Sequence, residues 1–330
     1  MRTGFLFIAM LLCVWAGKGW GFYGHRMINR LAVFTLPEQL LGFYKKHIEY
    51  VTEHAPDADR RRYRDPEEAC RHYIDLDVYE KCAPVDTVPK FWKEAVAKFT
   101  EDTLKAYGIV PWHIQVMKFR LTQAFKEKDV NRILHASADI GHYIADAHVP
   151  LHATQNYNGQ LTNQHGIHAF WESRLPEVFA GDYDFFVGRA TYIDDVLAAA
   201  WQASESSFAA KDSVLDFERK LSLNFSPDNK YSYEQKGQTQ IRNYSRDYAS
   251  AFHNMLTGQV ERRMRASVWM VGSVWYSAWV DAGQPDLSDL ADKNKPMSDE
   301  ERKQLIEENQ KLNEQKMSDY FTSFNFSCKA

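Results

Sequence analysis

Apolar residues recur at three- and four-residue spacing over residues 27–47, 91–106, 113–127, 130–148, 168–178, 192–222 and 233–282, the period of helices that bury one face. No segment alternates convincingly between apolar and polar positions, so strands are not expected. Pro150 stops the helix before it, and the Asn- and Gly-rich residues 155–166 read as a loop, because Pro lacks the amide donor and Asn and Gly accept turn geometry. Residues 53–90, rich in charge and proline, form a second irregular stretch. From residue 284 the chain is mostly polar, and Ser298 and Glu301 are spaced as a capping box before a charged helix. The pattern predicts an all-α protein: a single multi-helix domain over residues 20–283 with a peripheral C-terminal helical extension over 284–330.

The first residues differ. Arg2 and then a short apolar run over residues 4–16 read as a signal peptide, too short for a permanent membrane helix. Gly17 and Gly19 supply the small residues that a signal peptidase reads, which assigns 1–19 to the leader and makes Trp20 the mature N-terminus of an exported protein. Of four cysteines, Cys13 leaves with the leader. Cys70, Cys82 and Cys328 remain, an odd set in which Cys70 and Cys82 are near enough in sequence to bridge in an oxidising compartment. Without a CxxC pair, thiolate zinc is disfavoured.

Composition narrows the function classes only partly. At 330 residues, 45% hydrophobic and 25% charged, the chain can build a large core, which excludes disorder and collagen-like repetition. With 40 Lys and Arg against 44 Asp and Glu, a nucleic-acid site must rest on local positive charge and not on a global basic field. Aromatic residues at 14% and 12 histidines suit a helical enzyme with imidazole ligands.

The chemistry concentrates in one segment. His142 and Asp146 stand four apart, which on a helix sets an imidazole and a carboxylate on one face, a turn apart, as two ligands of a common metal would be. His152 follows just past Pro150, where the chain can turn back to the same pocket, and His168 and Glu172 repeat the spacing. A lone pair of this kind is usually a surface ion pair worth a few tenths of a kcal/mol. Two pairs flanking a third histidine in an otherwise apolar setting point instead to two or more metals, because ionisable groups have little other reason to face inward.

This order of donors resembles the zinc-dependent phospholipase C and single-strand-specific S1/P1-type nuclease superfamily, whose members are helical exported proteins with a trinuclear zinc site. The superfamily signature is a mature N-terminal Trp, a nearby His, an Asp, a His, His-x-x-x-Asp, a further His, and His-x-x-x-Asp or Glu. Here Trp20, His25, Asp59, His72, His142, Asp146, His152, His168 and Glu172 fill it in order. The resemblance implies three Zn2+ ions. The α-amine and carbonyl of Trp20 would hold one with His25 and Asp146. Asp59, His72, His142 and the bridging Asp146 would hold the second, and His152, His168 and Glu172 the third. Zinc lowers the pKa of a water it holds toward ~7, so no Ser or Cys nucleophile is required for phosphoester hydrolysis.

Asp57 competes with Asp59 for the ligand position. Asp59 is preferred because the nuclease branch places an Arg three residues after its Ala-Asp, matched by Ala58, Asp59 and Arg62. By the same resemblance Asp59 and Arg62 are the catalytic candidates, Asp59 orienting the attacking water and Arg62 pairing with substrate phosphate through its planar fork. The competing reading makes Arg60, Arg61 and Arg62 a solvated basic loop. His135, His148 and His165 lie near the motif without matching it, and His135 and Asp139 share the stripe of His142 and Asp146, where they could orient ligands.

Two branches of the superfamily compete. Tyr73 and Asp75, in His72-Tyr73-Ile74-Asp75, match the nuclease pattern of an aromatic that stacks on a base and an acid that hydrogen-bonds its edge. Glu172 matches the phospholipase branch instead. Weighting Arg62, Tyr73 and Asp75 above Glu172, the expected activity is hydrolysis of single-stranded DNA, RNA or 3′-nucleotides, with no obligate protein partner. The alternatives are a phospholipase C acting on phospholipid head groups and an exported metal-binding protein without turnover. Asn-x-Ser sequons begin at Asn224, Asn243 and Asn325.

Overall fold

The computed structural model describes residues 21–80, 88–236 and 239–290. The leader, Trp20, Cys82, Cys328, Asn325 and most of the C-terminal extension fall outside them. The centre of the fold is the helix Val130–Ala147, started by the Asp129 carboxylate accepting from the Arg132 amide at 3.1 Å. From Ala136 onward every residue of this helix is buried, the polar Ser137, Asp139, His142 and Asp146 included. Four helices, Gly21–Val33, Val110–Glu127, Val196–Asn224 and Gln259–Asp281, surround it. The fold is all-α in class, as the periodicity predicts.

Close approach of the helices depends on small residues. A Cβ on Gly141 would lie 2.1 Å from Asn29 Oδ1, and the Asn29 amide donates to the carbonyls of Val51 and Ala138, both at 3.1 Å. That amide ties three helices at the level where His25 and His142 face each other. Large aromatics fill the remaining volume: Trp92, Trp112 and Trp201 meet edge to face, and Tyr44 stacks on Trp275 at 4.7 Å. Cys70 is buried with a free thiol that donates to the Glu67 carbonyl, and its suggested partner Cys82 lies outside the described residues.

The structure corrects the reading of 233–282 as one helical stretch. Tyr231–Lys236 and Thr239–Tyr244 form an antiparallel hairpin in which Tyr231 pairs with Tyr244, and only then do the helices Arg246–Met255 and Gln259–Asp281 follow. Tyr231, Tyr233, Ile241 and Tyr244 are good strand formers whose sparse apolar spacing satisfies either period. Packing decides, since Tyr244 stacks on Phe170 at 3.9 Å. The hairpin does not alter the fold class. Pro37 also divides the expected 27–47 helix into Gly21–Val33 and Glu38–Lys46. The irregular 53–90 stretch holds the short helices Asp57–Arg61 and Leu76–Glu80. Beyond Asp281 the chain folds back, with Leu287 buried and the Trp279 indole donating to the Pro285 carbonyl at 2.9 Å. No helix among the described residues is long and apolar enough to cross a membrane.

Two glycines separate packing from propensity. Gly141→Ala should destabilise by about 2 kcal/mol through overpacking against Asn29. Gly42→Ala, on an exposed helical site with nothing near the added Cβ, should stabilise by about 0.5–1 kcal/mol. Denaturant midpoints moving the same way for both would contradict this packing.

Candidate metal centre

The central helix brings His142 and Asp146 together, Nε2 to Oδ2 at 3.1 Å. His142 Nδ1 lies 2.9 Å from the Ala55 carbonyl, so Nε2 is turned inward. The first helix contributes His25, whose ring stacks on His142 at 3.8 Å and whose Nε2 is 3.4 Å from Asp146 Oδ1. The short helix Asp57–Arg61 presents Asp59, with Oδ1 3.9 Å from His142 Nε2 and from His72 Nδ1. His72, just after the turn Ala69–Arg71, puts Nδ1 2.8 Å from Asp146 Oδ2. Asp59 and His72 thus enter from a helix of little more than one turn and from the residue after a 3-10 turn.

His152 stands in the 3-10 turn Pro150–Ala153 that the proline break creates, with Nε2 4.0 Å from Asp146 Oδ1 and 3.5 Å from Glu172 Oε2. His168 Nε2 is 2.9 Å from the same Glu172 oxygen. Glu172 itself lies in a π-helical turn, Phe170–Arg174, set between Ile167–Ala169 and Leu175–Phe179. Pro176 has no N–H for the Glu172 carbonyl, and the wider turn is the local answer. Eight of the nine expected donors therefore meet, all of them buried. The ninth, Trp20, lies outside the described residues. Asp57 is not among them: it pairs with His54 and Arg60 at the surface.

The donors fall into the groups His72, His142, Asp146 and His152, His168, Glu172, each with ligand atoms within 4.8 Å of one another. A third group of the same span joins His25 to Asp59 and His142, so His25 reaches toward the Asp59 side as well as toward Asp146. Both oxygens of Asp59 and of Glu172, both nitrogens of His25, Asp146 Oδ1 and the inward Nε2 of His152 and His168 find no hydrogen-bond partner among the described residues. So many unpaired buried atoms aimed at a small volume fit divalent cations, and the imidazole and carboxylate set suits zinc.

The electrostatics are those of a crowded dry site. Burial pushes the Glu172 carboxyl up to about 8 and the His168 imidazole down to about 4. Burial opposes protonation of His142 too, yet the Asp146 carboxylate lifts it to about 9.

Beside the cluster opens a cavity of about 500 Å³. His72, His152 and His168 form one side of it, and Arg62, Tyr73 and Asp75 line it together with Gln155 and Tyr157. Arg62 Nη1 is 3.6 Å from Asp59 Oδ1, while its neighbours diverge, Arg60 to Asp57 and Arg61 inward to Asp139. The three arginines are thus not one solvated loop. Burial and the nearby Asp77 raise the Asp75 carboxyl to about 7.

His135 is 3.5 Å from Asp139, whose carboxylate is taken up by Arg61, and His148 bonds the Ile144 carbonyl within its own helix. Neither touches the cluster, and His165 lines a separate cavity. The sequence reading passes over Gln155, Tyr157 and Glu68. Glu68 stands four residues before His72, the same spacing signal that marks His142 and Asp146.

Removal of bound metal should expose the cost of these unpaired groups. Dialysis against a strong chelator should lower the melting temperature by several degrees, with recovery on adding Zn2+, since ligands of the folded state alone stabilise it. An unchanged melting curve would speak against a metal centre.

No curated protein matches the chain. The S1/P1 Nuclease family model matches residues 20–264, a span that contains every donor of the cluster and the whole lining of the adjoining cavity. With that match over most of its length, the chain belongs to the S1/P1 nuclease family, metal-dependent hydrolases of phosphodiester bonds.

Proposed function

We propose that this protein is an exported, zinc-dependent phosphoesterase that cleaves single-stranded nucleic acids or 3′-nucleotides, organised as a leader over 1–19, a hydrolase domain over 20–283 and a C-terminal extension. The observation that carries the reading is the convergence of eight buried donors beside a cavity lined by Arg62, Tyr73 and Asp75. Three Zn2+ ions held by Trp20, His25, Asp59, His72, His142, Asp146, His152, His168 and Glu172 would supply Lewis acidity and an acidified water.

The residues of the chain divide the remaining work. Arg62 binds a phosphate oxygen from the cavity wall, its planar fork suited to that anion. Asp59, whose oxygens have no hydrogen-bond partner among the described residues, orients the attacking water. Tyr73 offers its ring to a base; its hydroxyl donates to the Ala106 carbonyl at 3.3 Å, which holds the ring in place. Asp75 meets the base edge. Positive charge supplied locally by Arg62 and the metals suffices for short contacts on a net-acidic protein. Export agrees with the apolar leader and with a family match that begins at residue 20.

A second reading, phospholipase C, draws on Glu172 and on Tyr63 and Leu161, both 70% exposed on segments that flank the cavity. Such residues could meet a lipid surface. A panel of single-stranded DNA, RNA, 3′-nucleotides and phosphatidylcholine separates the readings. Turnover of the nucleic-acid substrates is expected, with Tyr73→Ala raising KM roughly tenfold or more through lost stacking of ~1–3 kcal/mol. Turnover of phosphatidylcholine alone would favour the second reading, and no turnover of any substrate would leave a binding protein.

The terminus gives an independent test. A form retaining one residue before Trp20 loses the free α-amine and should lose at least one metal by elemental analysis along with most of its activity. Full metal content and activity in that form would exclude the Trp20 amine as a ligand.

A further inference from the structure

Four histidines of the cluster are held in two different ways. His142, His152 and His168 each turn Nδ1 to a backbone carbonyl, of Ala55, His72 and Tyr157, at 2.9, 2.6 and 3.0 Å. Their Nε2 atoms face inward. His72 is reversed: Nδ1 faces Asp146 at 2.8 Å and His142 Nε2 at 3.0 Å, while Nε2 points away from the cluster. Behind it stands Glu68, whose Oε1 is 3.5 Å from Nε2, a buried nitrogen that makes no hydrogen bond among the described residues.

Glu68 is 1% exposed and firmly held. The Tyr143 hydroxyl donates to Oε1, and Arg71 Nη1 donates to Oε2 at 2.6 Å. Arg61 reaches Oε2 at 3.5 Å and grips Asp139 with two further bonds at 3.1 and 2.9 Å. Glu68 is thus paired with two guanidiniums, Arg71 also reaching Asp65 at 3.3 Å, and has charged partners of its own without the imidazole. Its approach has another consequence. A neutral imidazole carries one N–H, and the acceptor beside it selects which nitrogen keeps that proton.

We propose that Glu68 is the positioning residue of His72: its carboxylate, standing beside an Nε2 that has no other acceptor among the described residues, favours the Nε2–H tautomer and so leaves the Nδ1 lone pair for the cation at Asp146. This rests on the metal-centre reading above. A carboxylate in this position locks the ring and makes the opposite nitrogen a stronger donor. Among these four histidines only His72 has such a partner, and the others lean on uncharged carbonyls. Arg61, Arg71 and Tyr143 act through Glu68, keeping its carboxylate in place. That accounts for an inward Arg61 and a buried Tyr143 hydroxyl with no contact to the cavity.

The test uses the zinc-loaded protein, challenged with graded concentrations of a chromophoric chelator while retained zinc is counted. Glu218→Gln is the control, because Glu218 is also a buried carboxylate held by a lysine and a tyrosine, Lys230 and Tyr248, but belongs to a different network. Half-release of one zinc should need about tenfold less chelator in Glu68→Gln, which keeps an acceptor but loses the charge, and up to about a hundredfold less in Glu68→Ala. Glu218→Gln should match wild type. Nitrogen-15 NMR of the loaded protein should show an Nε2–H tautomer for His72 in wild type and its loss in Glu68→Ala. If Glu68→Ala fails to fold, Glu68→Gln decides alone.

Retention within twofold of wild type in the Glu68 variants, or an equal loss in Glu218→Gln, would overturn the proposal. Wild-type protein that takes up no zinc would instead remove the metal-centre reading and this inference with it, a result distinct from tight wild-type binding that ignores Glu68.

Discussion

Asp146 is a fully buried carboxylate on a helix that has no exposed face around it, and the architecture of the site follows from the need to compensate it. Each unpaired buried polar atom costs about 1–3 kcal/mol, and the cluster holds enough of them that their sum rivals the roughly 5–15 kcal/mol by which a domain is stable. Histidines alone do not settle the account, because their nitrogens are also left without partners. Divalent cations do, since they satisfy carboxylates and neutral imidazoles together.

The fold meets this need mostly by bringing short helices and turns against the central helix. His25 comes from the start of the first helix, Asp59 from a helix of one turn, His72 and His152 from 3-10 turns, and Glu172 from a π-helical turn ahead of Pro176. Besides His25, only His142 and Asp146 sit on an α-helix of more than two turns. That helix serves as the fixed reference, held in place by the Asn29 amide and the Gly141 contact beneath it. Irregular backbone is tolerated where the donors themselves complete the packing.

A second layer of charge lies behind the first. Arg61, Arg71, Glu68, Asp139 and Tyr143 form a hydrogen-bonded network, none of them lining the cavity. Breaking one member of such a network is expected to be costly, because it strands the others. On the cavity side, Arg62 lines the wall with Nη1 3.6 Å from Asp59 Oδ1. Neighbouring arginines in one short run thus diverge, one pairing with carboxylates behind the donors and the next lining the cavity.

The sequence by itself determined what depends on short separations. The helical period, the break at Pro150, and the His142–Asp146 and His168–Glu172 pairs are properties of neighbouring residues, and helix geometry converts such spacing directly into a shared face. The hairpin at 231–244 escaped because four scattered aromatic and aliphatic residues fit both periods until Phe170 stacks on Tyr244. Resemblance alone favoured Asp59 over Asp57, and only the tertiary structure supplies the physical reason: both occupy one short helix, yet Asp59 approaches His142 and His72 while Asp57 pairs with His54 and Arg60. The tertiary structure alone also paired Arg61 with Asp139 across 78 positions and set Glu68 behind His72. Such contacts depend on where distant segments pack, and their energy belongs to burial that no local pattern records.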